Sequence, residues 1–257
     1  MPIDRLSDLH MHTAYSDGKG SAEEMILSAI DKGMKKIAIT DHMPLPFPDP
    51  CAVDMDRLND YRAEVKRLKY EYEMQIDVQL GLEIDFIPQL QPWIQDIVDL
   101  GWDYLITSVH FLFGKVEGKP QIFDSSQIDP FVKLLRENYQ GDAQTMCEEF
   151  YKTVQKGAAM IPGSTIGHFD RIKLHNRGNN YFEETSTSYR KLVEETLIAV
   201  QAARCRIEIN TSGFDRAVKD CYPSLWIIEL CKSMNIPIVL GSDSHHPSEI
   251  GRYFDRF

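Results

Sequence analysis

The stretch RLSDLHMHTAYSDGKG (5–20) decides how the whole chain is read. It opens as a strand, with Leu6, Leu9 and Met11 along its body. It then delivers His10 and His12, with Asp17 just beyond. Side chains at i and i+2 of a strand point to the same side, so the two histidines share a face. A helix follows at once. In SAEEMILSAIDKG (21–33) Ser21 stands at the cap, Glu24 sits three residues on, and Gly33 stops the pattern. The unit is an apolar strand ending in metal-ligand side chains, followed by an amphipathic helix.

The unit recurs. Further strand candidates are KKIAITDH (35–42), DVQLGLEIDF (77–86), DYLITSVHF (103–111), STIGHFD (164–170), CRIEINTSG (205–213) and PIVLGSDSH (237–245). Helical patterns lie at 55–73, 90–101, 188–203 and 223–235. Such alternation implies an α/β fold with a parallel sheet and crossover helices. Seven strands without an obvious edge point to a closed or nearly closed (β/α)7 barrel, like a TIM barrel. A doubly wound open sheet is the alternative. The interval 112–163 is too long for a simple crossover and reads as a long loop over one barrel face plus two helices. No repeat or linker divides the chain, so 1–257 reads as one domain carrying that insertion.

Composition narrows the function. Of 257 residues 43% are hydrophobic, enough for a sizeable core. No run approaches the roughly 18 apolar residues of a membrane span. MPIDRLSDL is charged too early for a signal peptide, so a cytoplasmic protein is expected. The cysteines (51, 147, 205, 221, 231) are scattered and form no CxxC, which argues against disulfides and a thiolate zinc site. Cys205 and Cys231 read as buried thiols. The net charge of -11, without a Lys/Arg cluster, argues against a nucleic-acid partner. A small anion held by one or two arginines and metal fits it better. Nothing in the sequence sets an oligomeric state.

Polar residues fall at the strand ends. The first strand ends in His10 and His12, with Asp17 after it. The second ends in Asp41-His42, the third carries Glu83, and the fourth ends in His110. The fifth ends in His168, followed by Asp170 and Arg171, and the seventh ends in Asp243 and His245. The sixth, Glu208-Ile-Asn210-Thr-Ser-Gly, is polar but lacks histidine. In a parallel barrel all these ends open on one face. A lone HxH is a weak signal, and His42, His110 or His168 alone is more often a core or loop histidine. Glu83 alone could be a buried acid in a structural pair. Six such ends are hard to explain independently, because buried ionised groups are normally paired or metal-bound. Imidazole and carboxylate without thiolate suit Zn, Mn or Fe(II). Nine donors suffice for two or three ions if a carboxylate bridges. Asp8 faces the same way and reads as a hydrogen-bond partner of an imidazole or as a further ligand.

HMHT with SDG (10–18), TDH (40–42), GLEIDF (81–86), SVHF (108–111), GHFD (167–170) and GSDSH (241–245) resemble the polymerase and histidinol phosphatase (PHP) superfamily, in order and rough spacing along nearly the whole chain. SVHFL, the segment with FDSSQIDPF and the GHFDRIK block resemble its histidinol-phosphate phosphatase branch. The resemblance implies a distorted seven-stranded β/α barrel with three divalent metal ions. His10, His12, Glu83 and Asp243 would hold the first. Glu83 would bridge to a second on His110 and His168. Asp17, His42 and His245 would hold the third.

The implied reaction is hydrolysis of L-histidinol phosphate to histidinol and phosphate, in histidine biosynthesis. Divalent metals lower the pKa of bound water toward ~7 and clamp phosphoryl oxygens. Glu83 would set the metal spacing, and Asp243 or His245 would assist proton transfer to the leaving alkoxide. Arg171 and Arg216 are the candidate phosphate binders, since a guanidinium can grip phosphate bidentately. Glu117 or Asp124 would meet the substrate's ammonium. The rivals are a nuclease, nucleotide phosphoesterase or tyrosine phosphatase on the same scaffold, and a non-catalytic metal module. A metal amidohydrolase shares HxH but would call for a lysine or equivalent bridging group at the fourth strand, where SVHF has no lysine.

Overall fold

Ser21 caps the first helix as its spacing predicts. Its Oγ accepts from the Glu24 N–H at 3.2 Å, and Glu24 Oε2 accepts from the Ser21 N–H at 2.8 Å. Helix α1 (Ala22–Asp31) therefore starts on a complete capping box, and Gly33 turns the chain away with φ 76. Ser21→Ala is expected to cost about 1 kcal/mol of unfolding free energy. Urea titration at fixed metal load would read it, and an unchanged midpoint would contradict it.

The computed structural model describes residues 3–113 and 120–257. Its main sheet runs β1 (Ser7–Asp8), β2 (Lys36–Ile39), β3 (Asp77–Asp85), β4 (Tyr104–Ser108), β7 (Thr165–Ile166), β8 (Arg206–Asn210) and β9 (Ile238–Gly241), in that spatial order. Every pair is parallel. The first and last strands meet. Leu9 N–H donates to the Leu240 carbonyl at 3.1 Å and His12 N–H to the Ser244 carbonyl at 2.8 Å. The result is a seven-stranded, nearly closed barrel, not an open sheet.

Helices α2 (Leu58–Glu71), α3 (Gln91–Val98), α5 (Ala143–Met160), α6 (Thr187–Ala202) and α7 (Leu225–Ser233) connect the strands with α1. Strand parity divides the side chains. In β3, Leu80, Leu82 and Ile84 join the apolar layer shared with α1–α3, leaving Glu83 and Asp85 on the other face. In β8, Ile207 and Ile209 are core residues, while Glu208 and Asn210 are buried and polar. A second apolar layer packs α4 (Ile128–Tyr139), α5 and α6, with the Tyr151 and Tyr189 hydroxyls 2.8 Å apart.

The interval 112–163 does hold two helices. The longer, α5, is the ordinary crossover between β4 and β7, so only the part before it is inserted. That part includes a short antiparallel pair, β5 (Phe111–Leu112) and β6 (Gln121–Ile122), where a loop was expected. Two-residue strands carry too little periodicity to read from sequence. Among the described residues no helix is long and apolar enough to cross a membrane. All five cysteines are free, and Cys205 and Cys231 are buried.

Candidate metal centre

Glu83 is the hub of the barrel mouth. It is 1% exposed, and its two oxygens face different partners. Oε2 lies 3.3 Å from His10 Nε2, 3.6 Å from His12 Nε2 and 3.2 Å from His42 Nδ1. Oε1 lies 3.2 Å from His168 Nε2 and 3.6 Å from His110 Nε2, and accepts from Ser108 Oγ at 2.6 Å.

Two pairs of imidazole nitrogens point at each other beside it. His10 Nε2 and His12 Nε2 are 3.1 Å apart, and His110 Nε2 and His168 Nε2 are 3.0 Å apart. The tautomers of two of these rings follow from their partners. An ionised carboxylate only accepts hydrogen bonds. His10 Nδ1 therefore donates to Glu208 Oε1 at 2.6 Å, and His110 Nδ1 donates to Asp85. In the neutral rings both Nε2 atoms are then left with lone pairs aimed at their neighbours. His12 Nδ1 is buried and has no hydrogen-bond partner. Adjacent nitrogens on one tetrahedral zinc stand about 3.3 Å apart. The donor set fits divalent metal.

Asp243 closes the first group, with Oδ1 3.4 Å from His12 Nε2 and 3.8 Å from His10 Nε2. Its backbone is left-handed, φ 51, and His168 has φ 22. Non-glycine residues in this region hold strain of about 1–3 kcal/mol and cluster at functional sites. Asp17 lies on a loop tied down by Asp41, whose carboxylate accepts from Thr13 N–H at 2.8 Å and from Ser16 Oγ at 2.5 Å. Asp17 Oδ2 then reaches His245 Nε2 at 3.1 Å, and its Oδ1 lies 3.7 Å from His12 Nδ1.

All nine residues singled out by sequence meet here. Three overlapping sets have donor atoms within 4.8 Å of one another: His10, His12 and Glu83; His42, Glu83 and His110; and His12, Asp17, His42 and His245. The sets share His12, His42 and Glu83. The His12 and His42 rings are neighbours, tilted by 30° with centroids 4.6 Å apart.

The electrostatics follow from this crowding. Burial pushes the Glu83 carboxyl up, but His10, His42 and His110 outweigh it and hold it well below the usual range. Asp243 is held down in the same way, chiefly by His10. Burial lowers the pKa of His10 and His42, yet Glu208 and Glu83 raise the first, and Glu83 and Asp85 the second, well above the ordinary imidazole value. Protons thus compete with metal, and the competition starts above pH ~6.5. Metal affinity is expected to fall by at least about tenfold per pH unit on acidification through neutrality, since each ion displaces at least one proton. Competition with a fluorescent chelator across pH measures this. A flat profile would contradict it.

Arg171 and Arg216 line the same cavity of about 370 Å³ as Glu83, His168 and Asp243. Arg171 is only 6% exposed. Its Nε and Nη2 reach Asp124 Oδ1 at 2.8 and 2.7 Å, its guanidinium sits 5.0 Å from the Tyr222 ring, and its Nη1 has no hydrogen-bond partner among the described residues. Asp124 lines the cavity too: its Oδ1 takes both Arg171 contacts, and its Oδ2 lies 3.6 Å from His110 Nε2. Glu117 lies outside the described residues.

Asp8 also departs from expectation. It bonds no imidazole. Its carboxylate accepts from Ser242 N–H at 2.9 Å, Ser242 Oγ at 2.5 Å and Gly251 N–H at 2.9 Å, fastening β1 to the end of β9. Regular pairing of β1 stops at Asp8, so counting by twos beyond it misplaced this side chain. The carboxylates that orient the rings are Asp85 and Glu208. Their signal was parity: Asp85 shares a face with Glu83, and RIEIN sets Glu208 and Asn210 opposite two core isoleucines.

Comparison with known proteins agrees with this fold. The histidinol-phosphatase of Bacillus subtilis is 27% identical over 267 residues, covering 97% of each chain. A crystal structure from Listeria monocytogenes, assigned as a histidinol phosphatase, superposes with TM-score 0.85 at 22% identity over 98% of this chain and 99% of that one. The histidinol phosphate phosphatase of Lactococcus lactis, solved with zinc, L-histidinol and phosphate, superposes with TM-score 0.68 at 22% identity over 94% of this chain and 86% of that one. The PHP domain family model matches residues 8–212, and the chain belongs to that family.

Proposed function

We propose that the chain is a metal-dependent phosphomonoesterase that hydrolyses L-histidinol phosphate to L-histidinol and phosphate, serving histidine biosynthesis in the cytoplasm. The observation that carries this reading is one cavity lined by both the carboxylate–imidazole cluster and a buried arginine with an unpartnered Nη1. The name of the Bacillus subtilis relative, matched over nearly its whole length, supports the substrate. We take residues 1–257 as one such domain.

His10, His12, Glu83 and Asp243 would hold the first ion, Glu83, His110 and His168 the second, and Asp17, His42 and His245 the third. Zn, Mn and Fe(II) suit these donors. When bound, such ions acidify water and polarise phosphoryl oxygens. The chain's own side chains do the rest. Arg171 Nη1 binds a phosphoryl oxygen, and Tyr222 and Asp124 fix the guanidinium plane. Arg216, on the same cavity, meets a second oxygen. Hydrolysis joins a water oxygen to phosphorus, breaks the P–O ester bond and needs a proton at the departing alkoxide. Of Asp243 and His245, the histidine is the candidate to supply it, while the Asp243 carboxyl, held well below its usual range by His10, is ionised and has no proton to give. His245 Nδ1 donates to the Asp243 carbonyl at 3.0 Å, which leaves its Nε2, 3.1 Å from Asp17 Oδ2, as the atom for ligation or for proton transfer.

Chelator-stripped protein should hydrolyse histidinol phosphate at background rate and recover on addition of Zn or Mn. Full activity in the stripped protein would sink the reading.

A further inference from the structure

Glu208 belongs to none of the recognised motifs, yet three of the nine residues connect to it: His10 by its ring, His168 by its backbone and Asp243 through Asn210. Its carboxylate is 1% exposed. Oε1 accepts from His10 Nδ1 at 2.6 Å. Oε2 accepts from the His168 N–H at 2.8 Å and from Asn210 Nδ2 at 3.1 Å. Asn210 Nδ2 in turn lies 3.3 Å from Asp243 Oδ2. The one carboxylate thus touches an imidazole at the first strand, the backbone at the fifth and, through an amide, a carboxylate at the seventh.

The surrounding chain makes room for it. A Cβ on Gly241 would stand 1.9 Å from Glu208 Oε1 and 2.7 Å from His10 Cβ. On Gly167 a Cβ would meet Ser108 Oγ at 2.4 Å and approach Glu208 Oε2 to 3.6 Å. The slot between β7 and β9 is therefore shaped around this side chain. The His168 N–H that it holds belongs to a residue with φ 22, a backbone state that needs outside support.

We propose that Glu208 is the positioning residue of the centre: it locks His10 as the Nδ1–H tautomer, keeping Nε2 for metal, and pins the His168 backbone, without itself touching metal. The proposal rests on the metal-centre reading above. It separates Glu208 from a buried acid that merely stabilises the barrel. Such an acid would change the stability of the metal-free protein and leave metal affinity alone.

E208Q keeps the shape but not the chemistry. A carboxylate serves donors on both oxygens, whereas an amide has one oxygen and one NH2. Either the NH2 faces His10 and forces the proton onto Nε2, or it faces the His168 and Asn210 donors. The experiment compares parent and E208Q, both stripped of metal and checked for fold by circular dichroism, in zinc competition with a chelating dye. The expected result is a Kd weaker by about 10- to 100-fold. A Kd within twofold of the parent overturns the proposal. If E208Q does not fold, nitrogen-15 NMR of the zinc-loaded parent decides. A proton on His10 Nδ1 supports the proposal, and a proton on Nε2 overturns it. A parent that takes up no zinc would overturn the metal-centre reading itself, which is a different result from an E208Q that binds as well as the parent.

Discussion

Glu83→Gln is expected to lower kcat/KM for histidinol phosphate by more than about 100-fold. That figure is the upper end of what losing a partner outside the ligand shell costs, and on the proposed reading Glu83 would lie inside it. Its Oε2 serves the His10, His12 and His42 side, and its Oε1 the His110 and His168 side. An amide removes the shared negative charge from a site where at least five imidazole nitrogens converge. It also offers an NH2 to lone pairs that need a cation. Metal content should fall with activity, and elemental analysis beside the phosphatase assay reads both. Full metal with full turnover would refute a bridging role.

Arg171→Ala should act differently. Metal content should hold, because no metal-binding group is removed, while kcat/KM falls by about 100- to 1000-fold, the usual loss when one preorganised donor to a developing charge is deleted. Inhibition by inorganic phosphate should weaken in parallel. The single variant leaves the Asp124 carboxylate without its guanidinium, 3.6 Å from His110, which is a separate source of harm. Arg171→Ala with Asp124→Asn removes that complication. If the double variant recovers parental kcat/KM, phosphate binding is not the role of Arg171. If it stays slow with metal retained, the role stands.

The strand–helix unit of residues 5–33 carried the fold because its physics is local. Short apolar runs mark strands buried on both faces, and Ser21 with Glu24 marks a helix start. The metal-ligand side chains were legible because each stands at a strand end, where a parallel barrel gathers them. Local rules failed where long-range contacts decide. Asp8 sits one step from His10 in the alternation, yet Ser242 and Gly251, near the other end of the chain, claim it. Asp124 looked free because its partner, Arg171, lies far along the sequence. Glu208 was passed over because its strand lacks histidine, although its alternation with Ile207 and Ile209 matched that of Glu83. The short β5–β6 pair left no pattern to read.

The central claim is a site for a small amino phosphomonoester. Its most direct measurement is kcat/KM of the metal-replete protein for histidinol phosphate, phosphotyrosine, a nucleoside monophosphate and single-stranded DNA under one buffer. Histidinol phosphate should lead by at least about 100-fold, within the range that substrate-matched polar contacts provide. An equal or higher value for any of the other three would contradict the assignment.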